Sequence, residues 1–311
     1  MKKLQLQVGV SDARERLDRF VARAGGIARG LARRTIEQGG VYVDGQRTKV
    51  ASRGLHPGQE VTVVLEEAGR AAPARTPPPT DLRVLYEDDD LLAVDKPAGT
   101  AAQATLATDR DTLTWRVAEY LGLGSDRRVG LVHRLDRETS GVTVFGKTPR
   151  AVTTLARAFR EGTVHKRYLA VACGPIAEPC TVSAWLAKDP SRPGLFKASA
   201  DGVGVPAETR VEPLSPPGPA TLVACLPTTG RTHQLRVHLR SLGAPIAGDL
   251  RYGGPARIAL ADGQIEAARV LLHAQCLSLR HPRTGAALAL KAPAPGDLKV
   301  AAAQLGFSLA E

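Results

Sequence analysis

His133-Arg134-Leu135-Asp136-Arg137-Glu138-Thr139-Ser140-Gly141 sets one carboxylate, Asp136, between two guanidinium groups and follows it with small residues that suit a turn. An opposite charge within about 4 to 6 Å favours the ionised carboxylate, so Asp136 is expected to serve as an anion that attacks or abstracts a proton. Just downstream, Val142 to Phe145 is a β-branched and aromatic run that reads as a strand. Upstream, Val84 to Tyr86 and Leu91 to Val94 read as two more strands joined by the acidic turn Glu87 to Asp90. A helix fits Arg150 to Glu161, a strand Tyr168 to Ala172, and a further helical stretch lies near Thr232 to Leu242. Many strands with few helices between them argue for a mixed α+β domain and against a doubly wound parallel sheet.

A break in composition separates this region from the N-terminus. Residues 66–80 combine prolines, alanines and charges without apolar periodicity, as a semi-extended linker does. The expected organisation is a small domain over 1–65, a linker over 66–80 and a large domain over 81–311. In the small domain Asp12 is a plausible N-cap with Glu15 following, and Leu17, Phe20, Val21 and Ala24 recur at helical spacing. A second short helix follows Gly30, with Leu31, Thr35 and Ile36 expected inward and Arg33 and Arg34 outward. Val41-Tyr42-Val43 and the Asp44-Gly45 turn then begin a hairpin, and Val61 to Leu65 is a later strand.

Charge points to a polyanionic partner. The 311 residues carry a net charge of +11, and such a surplus attracts nucleic acid by steering and counterion release. Over residues 1–65, twelve Lys and Arg against six Asp and Glu leave +6, so more than half of the surplus falls in the small domain. Cys173, Cys180, Cys225 and Cys276 are scattered singly, without the paired spacing of zinc or redox sites, and read as small buried hydrophobes of a reducing compartment. The opening Met-Lys-Lys-Leu-Gln-Leu-Gln-Val alternates polar and apolar and forms no signal-peptide core. No apolar run approaches the roughly 18 residues of a membrane span. A cytoplasmic address is expected.

The Asp136 stretch resembles the catalytic motif of the RluA-type pseudouridine synthases, in which the aspartate does the chemistry. Further blocks follow in that family's order. They are Lys96-Pro97-Ala98-Gly99, His165 to Ala170, Thr229-Gly230-Arg231-Thr232-His233-Gln234-Leu235-Arg236-Val237-His238-Leu239, Gly243 to Asp249 with Tyr252-Gly253, and Leu272-His273-Ala274. The N-terminal pattern resembles the small S4-like RNA-binding domain. The resemblance implies a mainly antiparallel mixed sheet for the catalytic domain and a small α/β fold for the N-terminal one. It also implies isomerisation of uridine in RNA, most plainly large-subunit ribosomal RNA, by a monomer with no cofactor. By the same resemblance Asp136 supplies the carboxylate, either attacking covalently or taking a proton from the sugar. Arg231 is the buried arginine that pairs with it, and Tyr168 stacks on the flipped uracil and assists proton removal. Arg134 fills the gap in the RNA stack, and His133 orients the neighbouring backbone at the RNA. Arg29, Arg33, Arg34, Arg47 and Lys49 meet phosphates. Lys96 is expected to support the loop and not to react. Two positions depart from the family pattern: Ala101 to Thr105 replaces a Val-His-Pro-like loop, and Asp95 stands where asparagine is usual.

Competing readings are weaker on physical grounds. Gly141 to Thr148 satisfies the phosphate-loop pattern G-x-x-x-x-G-K-[ST], yet Val-Thr-Val-Phe is stiff and β-prone, and a strand cannot wrap its N–H groups around an anion. His233 and His238 miss the spacing that puts two metal ligands on one helix face, and Ser140 lacks the G-x-S-x-G frame of a hydrolase. The rival from another class is a non-catalytic RNA-binding or ribosome-assembly protein on the same fold; a third reading is a synthase acting on transfer RNA.

Overall fold

The run expected as a strand beyond Asp136 is buried at each of its positions, which requires a central strand with both sheet faces covered. In the computed structural model, which describes residues 2–37, 39–65, 82–103, 112–123, 129–199 and 202–309, the chain divides into two compact units, Met1–Arg75 and Thr76–Glu311. The linker expected over 66–80, and Ala104 and Thr105 of the atypical loop, lie outside the described residues.

The first unit runs β1 (Lys2–Gln7), α1 (Leu17–Ala24), α2 (Arg29–Glu37), β2 (Val41–Val43), β3 (Gln46–Thr48) and β4 (Glu60–Leu65). Its antiparallel sheet has the order β1-β4-β2-β3. Leu17, Phe20 and Val21 of α1 and Ala32 and Ile36 of α2 pack with Val41, Val61 and Val63 of the sheet. Two local expectations change. Asp12 does not cap α1; it closes a preceding 3-10 turn by accepting the Gly9 N–H at 2.9 Å, and Arg16 is the N-cap. Leu31 is exposed, because the inward stripe of α2 is Ala32, Thr35 and Ile36, the i, i+3, i+4 set.

The second unit runs β5 (Arg83–Glu87), β6 (Leu91–Lys96), α3 (Leu113–Tyr120), β7 (Gly130–Leu131), β8 (Ser140–Gly146), α4 (Pro149–Glu161), β9 (His165–Ala172), β10 (Cys180–Lys188), β11 (Phe196–Ser199), β12 (Val205–Pro213) and β13 (Thr221–Pro227). It continues with α5 (Gln234–Ser241), β14 (Arg257–Leu260), β15 (Gly263–Glu266), β16 (Leu272–Arg280), β17 (Ala287–Lys291) and α6 (Gly296–Gln304). The main sheet has the path β11-β10-β12-β13-β9-β16-β8-β6-β5, with β17 on β16 and β7 on β8. Among the described residues β16 with β8 is the parallel pair and the other pairs are antiparallel. Alternation along β9 feeds two cores: Leu169 and Val171 pack with Leu298, Ala301 and Ala302 of α6, and Ala170 and Ala172 with Leu235 and Leu239 of α5. The α3 and α6 helices were not anticipated, since each has a short apolar stripe (Leu113 and Val117; Leu298, Ala301 and Ala302) set among loop-like sequence.

The parallel pair decides where the loop that carries Asp136 ends. His273 lies opposite Ser140 and Ala274 opposite Gly141, with Gly141 at φ +114 and its Cα so close to β16 that a Cβ would sit 2.2 Å from the Ala274 carbonyl oxygen. Only glycine permits that approach.

Candidate active site

Asp136 stands on the loop between β7 and β8, whose carbonyls are held both from within the loop and from other parts of the unit. The Thr139 N–H donates to the Asp136 carbonyl at 3.1 Å, closing a turn. The Arg137 carbonyl accepts from the Gly99 N–H at 2.9 Å and from Lys96 Nζ at 3.0 Å. The Glu138 carbonyl accepts from Arg269 Nη1 at 3.3 Å, and Arg269 in turn chelates Asp297 at the start of α6. Ser140 Oγ meets His273 Nδ1 at 2.9 Å; because His273 Nε2 faces the Ala292 carbonyl at 3.2 Å and must donate there, Ser140 is the donor to Nδ1.

Lys96 is fully buried and gives its ammonium to the carbonyls of Pro97, Thr100 and Arg137. Burial pulls its pKa down to about 8, against the nearby charges of Glu138 and Asp136. It anchors the loop from behind.

The partners of Asp136 are not its sequence neighbours. Arg134 is exposed and makes no pair with a described residue, while Arg137 turns away to donate to the Gly99 carbonyl at 2.8 Å. Arg231, expected to pair with the aspartate, does not: it is exposed, and its Nε donates to the Pro206 carbonyl at 3.1 Å. The cation beside Asp136 is Arg236, with Nη1 at 3.5 Å from Oδ2; His233 Nε2 follows at 4.0 Å from the same oxygen. The turn ahead of α5 explains the exchange. Gln234 Oε1 accepts from the Arg231 N–H and the Thr229 hydroxyl, and its amide donates to the Glu208 carbonyl, which pins Arg231 at the rim while the helix carries Arg236 inward.

Arg236 is 6% exposed and is held bidentately by the buried Asp249, at 2.7 Å for both bonds, with Tyr252 beneath its guanidinium. Burial opposes its charge, but the hydrogen bond and charge of Asp249, then the charge of Asp136, outweigh that and raise its pKa. Asp136 itself lines a cavity of about 920 Å³, together with Arg134, Phe159, Lys166, Tyr168 and Arg231 among others. Tyr168 is half-buried on β9; burial and then the Asp136 charge push its phenol well above the ordinary range. His133 lines the same cavity, but its ring is occupied. It stacks on Phe159 at 4.4 Å, its Nε2 accepts from the Val144 N–H at 2.9 Å, and burial lowers its pKa to about 3. It ties the loop to β8 and offers RNA no hydrogen-bond donor at that nitrogen.

In the first unit the expected phosphate-binding residues divide. Arg29 pairs with the buried Asp18 at 3.1 Å, Arg33 with Glu37 at 2.8 Å, and Arg47 Nε donates to the Gly39 carbonyl at 2.6 Å. Arg34 is half-buried, and Lys49 is exposed. The phosphate-loop pattern is part of β8, and its Lys147 pairs with Glu87 at 2.7 Å. No described helix is long and apolar enough to cross a membrane.

Arg236, Asp249, His233 and Tyr252 were not singled out from sequence as site residues, although all lie within the quoted motif blocks. The available signal was helical phase: once Leu235 and Leu239 face the core, Arg236 sits beside that stripe and Arg231 precedes the helix.

Residues 90–241 match the family model described as RNA pseudouridylate synthase, and residues 15–61 match the S4 domain. The chain is 32% identical to an uncharacterised RNA pseudouridine synthase of Bacillus subtilis (strain 168), covering 96% of each. It is 35% identical to ribosomal large subunit pseudouridine synthase D of Neisseria meningitidis serogroup B, over 85% of this chain and 71% of that one. Among solved structures, human RNA pseudouridylate synthase domain containing 1 superposes with a TM-score of 0.54 at 27% identity, covering 68% of this chain and 83% of that one.

Proposed function

The chain belongs to the RNA pseudouridine synthase family, and on that premise we propose that it isomerises uridine in large-subunit ribosomal RNA, with Asp136 as the catalytic carboxylate. The reaction breaks the bond from ribose to the uracil nitrogen, turns the base and rejoins it through carbon 5. It needs a base lifted from its stack and an anionic group at the sugar. The observation that carries the reading is Asp136 itself: its carboxylate lies beside Arg236 and His233 and lines the same cavity as Tyr168. Attack on the sugar and proton abstraction from it both use that carboxylate.

Tyr168 is assigned to stack on the flipped uracil, a contact worth about 1 to 3 kcal/mol. Its raised pKa keeps it a phenol, which favours stacking and hydrogen-bond donation over service as a base in the free enzyme. Arg134, exposed at the cavity rim, is placed to occupy the gap left by the flipped base, its planar guanidinium replacing part of the lost stacking. The first unit, with Arg34 and Lys49 and the outer faces of Arg29, Arg33 and Arg47, is assigned to backbone phosphates. The naming of the Neisseria relative and the added S4 domain support ribosomal RNA as substrate, and the expected location is the cytoplasm.

The test is tritium release from RNA labelled at carbon 5 of uracil. Release by the wild type from large-subunit transcripts, falling at least about a hundredfold in Asp136→Asn, is the expected result. Release from transfer RNA alone would overturn the substrate, and activity within tenfold in the variant would overturn the role of Asp136.

A further inference from the structure

His233 is one of three described non-glycine residues with positive φ, at φ +57 and ψ +18 on the N-terminal boundary of α5. A left-handed conformation is strained for a residue with a side chain, and such strain persists where the surroundings enforce it. Here they do. The ring packs edge-on against Phe196 and Tyr252, and Nδ1 lies 2.8 Å from the Tyr252 hydroxyl.

That hydroxyl decides the tautomer. Tyr252 is 1% exposed, and its oxygen already accepts the Phe196 N–H at 2.9 Å. Its single proton therefore points at His233 Nδ1, the remaining partner, so the imidazole proton resides on Nε2. Nε2 is the atom that faces Asp136 Oδ2, at 4.0 Å, on the oxygen that Arg236 also approaches. Burial lowers the His233 pKa against the opposing charge of Asp136, with Arg236 and Arg251 lowering it further and Asp249 opposing them. The ring is thus a neutral donor beside a carboxylate.

We propose that His233 is a positioning residue of the isomerisation: its Nε2–H, aimed by the Tyr252 hydroxyl, becomes a hydrogen-bond donor to Asp136 Oδ2, and beside the charge of Arg236 it orients the carboxylate toward the sugar. The separation of 4.0 Å is too long for a hydrogen bond in the free protein; the contact closes when RNA fills the cavity and expels water. This rests on Asp136 being the catalytic carboxylate.

Two substitutions separate the donor from the ring. The amide of His233→Asn falls near Nδ1 and suits a left-handed backbone, but it presents nothing to Asp136. The amide of His233→Gln falls near Nε2 and keeps the donor. On the full-length protein with large-subunit transcript, His233→Asn should lower kcat on the order of 10- to 100-fold with KM nearly unchanged. His233→Gln should recover most of that loss, and Tyr252→Phe, which frees the tautomer, should lower kcat in the same direction. Nitrogen-15 NMR of histidine-labelled wild type should show the Nε2–H tautomer for His233. A kcat within twofold of wild type in His233→Asn, a His233→Gln no better than His233→Asn, or an Nδ1–H tautomer would each overturn the proposal. A wild type that releases no tritium from any RNA would instead overturn the proposed function and this role with it. A wild-type rate with an Asp136-dependent signal and an unaffected His233→Asn would remove this role alone.

Discussion

Arg236 lies 3.5 Å from Asp136 while Asp249 holds its other edge through two bonds of 2.7 Å. One guanidinium therefore serves two carboxylates, and its position is set by the buried one. Lysine cannot span both. Arg236→Lys is expected to fold with reduced kcat, whereas Arg236→Met leaves Asp249 buried without a partner and should lose about 3 to 5 kcal/mol of stability. Arg231→Ala, by contrast, removes an exposed hydrogen bond to Pro206 and should change stability by less than about 1 kcal/mol. Urea melts and kcat of the three variants check this; an Arg236→Lys with full activity beside an inactive, RNA-binding Arg231→Ala would reverse the assignment.

Three histidines with lowered pKa values make the fold acid-sensitive. Burial lowers His133 to about 3 and His238 and His273 to about 4, from 6.5. As pH falls below 6.5 the unfolded chain takes up these protons and the native protein does not. Stability present above 6.5 is thus lost between 6.5 and about 4 for His238 and His273 and down to about 3 for His133, by up to about 1.4 kcal/mol per pH unit for each histidine. His133→Gln keeps an acceptor for the Val144 N–H and should flatten the slope by one proton, measured by urea denaturation at pH 7 and pH 5.

Lys49 offers a clean test of RNA anchoring, since it is exposed and has no hydrogen-bond or ion-pair partner among the described residues. If it meets a phosphate, Lys49→Gln should weaken binding alike across sequences and reduce the slope of log K against log salt by about 0.7 to 0.9. Filter binding from low to moderate salt gives the slope; an unchanged value would remove Lys49 from the interface.

Gly141→Ala should be among the most disruptive single-methyl changes in the second unit. The added carbon meets the Ala274 carbonyl at 2.2 Å, and φ +114 is strained for any L side chain. Forcing β8 from β16 also shifts the loop that carries Asp136, so a loss of at least about 2 kcal/mol together with reduced kcat is expected. Thermal melts and tritium release measure both.

Much of the architecture was legible because local physics specified it. The β-branched run beyond Asp136, the apolar stripe of α4 and the Asp44-Gly45 hairpin each depend on neighbours a few residues away, and each forms where the pattern places it. The α3 and α6 helices escaped notice because their burial comes from long-range packing and their own periodicity is short.

The sequence by itself determined the family and the strand-rich fold, and it singled out Asp136 as the candidate carboxylate, since these reside in contiguous motifs with fixed spacing. It could not determine what surrounds that aspartate. Arg134 and Arg137 flank it in the chain, yet the cation beside it is Arg236, which arrives with His233 at the start of α5, while Lys96 reaches its loop from β6. Charge acts through space, so the partners of Asp136 were decided only when the turn at Gln234 set the phase of α5 and the parallel pairing of β8 with β16 fixed where the loop ends.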